Sequence, residues 1–208
     1  MENKKRIGRK IVLTVCSMIF CMVLMGVSVY AALSQNVQLT NTISVNTSGQ
    51  VKSTVEVYEH IFDGVDAVTA MPTEPTWGTA VLEKAEDEDS KTQALTPIVF
   101  SQSTGKNIYA YKIVVTNKST VGVNVTITST EETDEQIDVY AGETFATLAK
   151  LDNNAKVNFT TSERLGTDDA LTYYIVVCAN KALGDMTAIT DGSGVTSEPF
   201  DINVVVAA

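Results

Sequence analysis

The sequence predicts an all-β chain: an antiparallel Ig-like or jelly-roll-type β-sandwich of about eight or nine strands, preceded by an N-terminal signal or anchor helix. Three observations predict it. Past residue 31 the chain holds 26 Thr and 22 Val in 177 residues, and such branched side chains favour pleated, half-buried surfaces. Apolar residues recur with period two along much of that length. Polar turn clusters such as Ser48-Gly49, Asp152-Asn153-Asn154 and Asp191-Gly192-Ser193-Gly194 punctuate the runs, and no long amphipathic helix intervenes.

The leader comes first. Residues 1–10 carry Lys4, Lys5, Arg6, Arg9 and Lys10 against Glu2, and 11–27 is an apolar run broken only by Thr14, Ser17 and Gly26. Val29 and Ala31 put small residues at the −3 and −1 positions of a cleavage site between Ala31 and Ala32. The run also approaches the roughly 20 residues of a membrane span, so an uncleaved anchor is the alternative. In both cases the basic flank stays inside and residues 32 onward are exported, with the membrane touched only by this segment. The expected organisation is a leader, 1–31, and a single sandwich domain, 32–208.

Within that domain 35–48 reads as the first strand. Val37, Leu39, Ile43 and Val45 alternate with polar neighbours, and Asn41 alone interrupts the apolar set. Val51, Val55 and Val57 define the next strand. Tyr109, Tyr111, Ile113 and Val115 share a face. After the turn Asn117-Lys118-Ser119-Thr120 come Val121, Val123, Val125 and Ile127, so this pair reads as a hairpin. Val157-Phe159, 171–178 and the set Phe200, Ile202, Val204 and Val206 add further strands, with 98–100 and 143–151 as weaker ones. Residues 173–177 are apolar on both faces, which predicts a central position. Residues 63–97 resist this pattern. They hold Pro72, Pro75, Pro97, the sole tryptophan (Trp77) and an acidic run at 86–89. They read as an insertion packed on the sandwich, anchored in the core by Trp77 and containing a helical turn at 80–85.

Charge narrows the function. Residues 32–208 carry 24 acids against 10 bases, and a body that acidic repels phosphate backbones. Catalytic chemistry finds little to stand on. The one histidine, His60, has no Gly-x-Ser-x-Gly elbow to serve and no second ligand for zinc. Cys178 ends an apolar strand, where a lone cysteine is a small buried hydrophobe. No catalytic, cofactor or metal residue is expected. Calcium at the acidic stretches 86–89, 131–135 and Asp168-Asp169 is the lesser alternative, none matching an EF-hand spacing. The sequons at Asn46, Asn117, Asn124 and Asn158 follow from a Thr- and Asn-rich composition.

The basic, apolar leader ending in Val29-Tyr30-Ala31-Ala32-Leu33-Ser34 and followed at once by a strand resembles the exported TasA/camelysin group of Gram-positive bacteria. The phrase Tyr111-Lys112-Ile113-Val114-Val115-Thr116-Asn117-Lys118-Ser119, with the alternating valines after it, is similar to a strand pair of that group. Asp169-Ala170-Leu171-Thr172-Tyr173 is similar to the tyrosine corner of Ig-type sandwiches. The resemblance implies a secreted matrix or fibre-forming surface protein. The peptidase activity attached to some members has no support in these residues.

Two classes of function are therefore expected. One is a secreted or surface-attached structural protein whose partner is a second copy of itself, met after signal peptidase has acted. Its copies join by exchanging 35–48, with Val37, Leu39, Ile43 and Val45 filling the neighbour's groove, since this stretch lacks the proline, lysine or acid that blunts a sheet edge. The other is a non-assembling adhesion or ligand-binding sandwich at the cell surface.

Overall fold

The computed structural model describes residues 37–39, 41–48, 51–62, 71–100, 108–129, 137–152, 155–180 and 200–208, which lie in the unit Asn36–Ala208. The leader, the cleavage site at Ala31 and Ala32, and the acidic stretch 131–135 fall outside the described residues.

The domain is a β-sandwich. In chain order its strands are β1 (Val37–Leu39), β2 (Thr42–Thr47), β3 (Ser53–Phe62), β4 (Leu82–Lys84), β5 (Ser90–Ala94), β6 (Ile98–Phe100), β7 (Ile108–Asn117), β8 (Asn124–Ser129), β9 (Ile137–Gly142), β10 (Ala149–Lys150), β11 (Asn158–Thr160), β12 (Ala170–Ala179) and β13 (Ile202–Ala207). The thirteen strands among the described residues exceed the eight or nine expected because several are only two or three residues long. One sheet has the order β10-β9-β12-β7-β3-β4, the other β11-β8-β13-β2-β5, and β1 pairs with β6. Among the described strands every pairing is antiparallel except β13 with β2.

Period-two alternation builds the core between the sheets. Val55 and Val57, Tyr111, Ile113 and Val115, and Tyr173, Ile175 and Val177 face Ile43 and Val45, Val125 and Ile127, and Ile202, Val204 and Val206; all are buried in one cluster. As its two apolar faces predict, β12 is central, between β9 and β7. Its second face contributes Tyr174, Val176 and Cys178 to a smaller cluster with Ile108, Ala110 and Phe145 on the outside of the six-stranded sheet. Trp77 packs on that outer cluster, 6.1 Å from the Tyr174 ring and 6.3 Å from Phe145. It anchors its segment, as expected, but outside the sheet rather than between the two.

Four expectations are corrected. Residues 109–115 and 121–127 do not form a hairpin: β7 belongs to the six-stranded sheet and β8 to the five-stranded one. Alternation shows only that one face is buried, and a chain arching across the sandwich satisfies it as well as a tight hairpin does. The Asn117 amide stabilises that arch by donating to the carbonyls of Val121, Leu165 and Gly166. In place of a helical turn at 80–85 stands β4, with Leu82 and Lys84 buried and Glu83 exposed, a period of two. The described part of 63–97 is consequently not an insertion packed on the sandwich but part of it, since β4 and β5 each extend a different sheet. Finally, β9 was not expected. Its Ile137, Val139 and Ala141 alternate inward, but Ala141-Gly142 reads as a turn, which hides the strand.

Candidate functional site

The strand expected to act in assembly is not continuous. β1 runs against β6 and β2 against β5, and between the two pairings the register slips once. Leu39 sits opposite Ile98 while Thr42 sits opposite Ala94, so the side of β5 and β6 carries one extra residue in between. That is the signature of a β-bulge, which bends the ribbon and interrupts its ladder. The residue that alone breaks the apolar alternation, Asn41, lies there and is only 3% exposed.

Asn41 replaces the interrupted ladder with its own side chain. Its Nδ2 donates to the Thr96 carbonyl at 3.0 Å and to the Tyr111 hydroxyl at 2.7 Å, and its Oδ1 accepts from the Ile98 amide at 3.2 Å. Its backbone carbonyl accepts from the Leu95 amide at 2.9 Å. One carboxamide thus satisfies two backbone groups of the bulge and reaches across to β7. Beside it, Thr96 donates to Glu59 Oε2 at 2.7 Å, while Glu59 Oε1 is buried without a hydrogen-bond partner. Burial raises the Glu59 carboxyl above its ordinary value, an effect the Thr96 bonds partly oppose. Burial likewise drives Tyr111 well above the usual phenol range, with Glu59 adding to it.

Below the bulge, β2 lies inside its sheet, parallel to β13 and antiparallel to β5. Ile43 and Val45 are fully buried. In the single chain β2 is therefore not an edge: β5 is. Of the four residues expected to fill a groove, Ile43 and Val45 occupy one in their own sandwich. Val37 and Leu39 belong to β1, opposite Phe100 and Ile98. At the lower end Ser48 donates its amide to Val206 and Thr47 to Asp89, and residues 48–52 then carry the chain to the other sheet. An open cleft of about 710 Å³ lies at this pole, lined by Ser48, Lys52, Glu86, Lys118, Ser119 and Val121 among others.

The residues weighed for chemistry lie elsewhere. His60 is half-buried on the outer face of β3, its ring 4.6 Å from Phe62 and 6.4 Å from Trp77. Cys178 is fully buried, its thiol 3.6 Å from the Asp138 carbonyl, and burial pushes its pKa up to about 12. A thiol that reluctant to ionise is a poor nucleophile at neutral pH. Among the described acids of the calcium alternative, Glu86 pairs with Lys52, Glu88 with Lys91 and Asp168 with Lys118, and Asp169 accepts from the Gly166 amide. Of the sequon asparagines, Asn117 is fully buried whereas Asn46 and Asn158 are exposed. Asn41 and Glu59 were not singled out as functional in the sequence, although the break in alternation at Asn41 was the available signal.

No protein-family model matches the chain. No curated protein matches it either. Among solved structures, a cupin-like protein from Thermotoga maritima aligns with 41% of this chain and 68% of its own at 14% identity, with a TM-score of 0.12, a likeness that carries no argument.

Proposed function

We propose that the exported chain is a structural subunit of a surface or extracellular matrix, and that copies join by exchanging the N-terminal strand. The observation that supports this most is the position of β2. It completes the five-stranded sheet through main-chain bonds on both sides and through two fully buried apolar side chains, and in sequence it precedes every other strand of that sheet and leads on to β3 in the opposite one. A strand of that kind leaves behind a groove that an identical strand from a neighbour fits equally well. The leader supports the same reading, because cleavage after Ala31 would free the end from which the strand must enter. Exchange passed from copy to copy does not close on itself, so the product would be a filament.

Ser44→Cys/Thr92→Cys, oxidised in dilute solution so that β2 is locked to β5 of its own chain, tests it. Wild type should elute as large species and show filaments by negative-stain microscopy, whereas the variant should remain folded and monomeric. Wild type that stays monomeric at every pH and ionic strength after cleavage would sink the proposal. The alternative, a ligand-binding sandwich that does not assemble, would then take its place, with the cleft beside Lys52 and Lys118 as the first place to look.

A further inference from the structure

We propose that Asn41 is the register key of the N-terminal strand: its carboxamide selects which residue of 35–48 sits at the ribbon bulge, whether the strand stays in its own sandwich or enters a neighbour's. The trans case rests on the assembly reading above; the cis case does not.

Hydrophobicity alone specifies this register poorly. Val37, Leu39, Ile43 and Val45 share one parity, so a two-residue slip keeps every side chain on its original face. The partners are equally permissive, since Ile43 and Val45 lie beside Ile202 and Val204 in a row of similar volumes. A slip that carried each residue two positions down the groove would put Ile43 where Val45 belongs, at little loss. It would also put Asn41 at the fully buried site of Ile43, among aliphatic side chains. The Thr96 carbonyl, the Ile98 amide and the Tyr111 hydroxyl would meanwhile lose the carboxamide that now bonds all three. Buried polar groups left without partners are the strongest available penalty against an otherwise tolerated packing. A single buried asparagine fixes register in coiled coils for the same reason. A strand that folds back on its own chain and one that arrives from another meet the same polar site, so the key works in both.

Disulfide trapping reads the register directly. Ser44 and Thr92 are directly opposite, with their hydroxyls 3.1 Å apart, at a non-hydrogen-bonded position where Cα atoms approach to about 4.5 Å. Ser44→Cys/Thr92→Cys should therefore link in the native register, and Ser44→Cys/Ser90→Cys should link only after a two-residue slip. Both pairs are to be introduced into the full chain, exported and oxidised, with links mapped by peptide mass spectrometry. With Asn41 present, the 44–92 link should exceed the 44–90 link at least tenfold. Asn41→Leu, which makes the apolar run uniform, should yield both. Leu39→Asn/Asn41→Leu moves the amide two residues back and should make 44–90 the dominant link, with folding confirmed by circular dichroism. Retention of the 44–92 link alone in either folded variant overturns the proposal. So does failure of the double variant to fold, because the displaced amide is required to rescue the site. Non-reducing electrophoresis separates the two readings. Links found only within single chains leave the key standing and remove strand exchange, whereas links between chains support both.

Discussion

The Asn41 carboxamide on one side of the sandwich donates to the Tyr111 hydroxyl on the other at 2.7 Å, a hydrogen bond between residues 70 apart in sequence. It joins the bulged N-terminal ribbon to the central strands of the opposite sheet. Tyr111→Phe deletes the hydroxyl and nothing else. The variant should lose about 1 kcal/mol in denaturant unfolding, with an unchanged denaturant slope, because the Asn41 amide keeps its bond to Thr96. A loss above about 3 kcal/mol would mean that the hydroxyl carries more of the bulge than its single bond implies.

Glu59, next to this pair, should make stability depend on pH. Burial raises its carboxyl in the folded state, so between the unfolded value and the raised folded value the native state holds more proton than the unfolded chain. Stability therefore falls as pH climbs through that window and stays lower above it. Glu59→Gln removes the ionisation and lets an amide occupy the position of the orphaned oxygen. The variant should melt higher than wild type at pH 7, by about 1 kcal/mol, with the difference shrinking toward pH 4. Equal pH dependence in the two proteins would show that Glu59 is not the group responsible.

The sandwich was legible because its code is redundant: dozens of Thr and Val residues in alternation indicate pleated sheet wherever one reads. Pairing was much less so. Alternation in 109–115 and 121–127 fits a hairpin and an arch alike, and only the long-range bonds of Asn117 to Leu165 and Gly166 decide between them. The bulge was half visible. Asn41 breaks the apolar pattern, but whether it faces solvent or a buried carbonyl depends on Thr96, Ile98 and Tyr111, all distant in sequence. Lys84 was invisible for a similar reason, since a lysine in an acidic stretch reads as solvated charge. Strand exchange raises a different question, because one chain folded on itself displays the groove already filled.

Trp77 offers an optical test of the outer cluster. It is the only tryptophan, and its Nε1 donates to the same Glu74 oxygen that accepts from the Tyr174 hydroxyl, both at 2.9 Å. Because Trp77 is only half-buried, Trp77→Ala should cost about 2–3 kcal/mol, below the range for a fully buried aromatic. Glu74→Gln should leave the fold intact and shift the emission of Trp77. Wild-type emission as red as that of the unfolded chain would contradict the packing against Tyr174 and Phe145.

Cys178 should prove inert. With the thiol fully buried and its pKa pushed up to about 12, a maleimide should label it only as fast as the domain unfolds. Cys178→Ser should cost about 1–2 kcal/mol from burial of a hydroxyl, and His60→Ala should change stability less than that. Rapid labelling of the native protein, or a hydrolytic activity lost in either folded variant, would reopen the question of catalysis.

Lys84 supplies the last expectation. Its side chain is buried on an edge strand, with Nζ donating to the Ser53 carbonyl at 2.9 Å and to the Ala85 carbonyl at 3.2 Å. Burial lowers its pKa from the usual lysine value, against the opposing pull of Glu88, Asp89 and Asp87. The folded state therefore gives up this proton more readily than the unfolded chain does. Stability should rise with pH between the lowered folded value and the ordinary value near 10.5, and the penalty should be fully present below the folded value. Lys84→Met keeps much of the aliphatic stem and removes the charge, so relative to wild type it should lack this rise and show only the alkaline loss that the buried Cys178 thiol and Tyr111 phenol impose on both proteins. At pH 7 two effects oppose each other: relief from burying an ammonium, and loss of the hydrogen bond to the Ser53 carbonyl. Each is on the order of 1–3 kcal/mol, so Lys84→Met should lie within about 1 kcal/mol of wild type. Lys84→Ala adds a cavity and should fall about 2 kcal/mol lower still. Unfolding curves at pH 7 and pH 10 for the three proteins decide it, and a Lys84→Met variant that keeps the alkaline rise would assign that rise to another group.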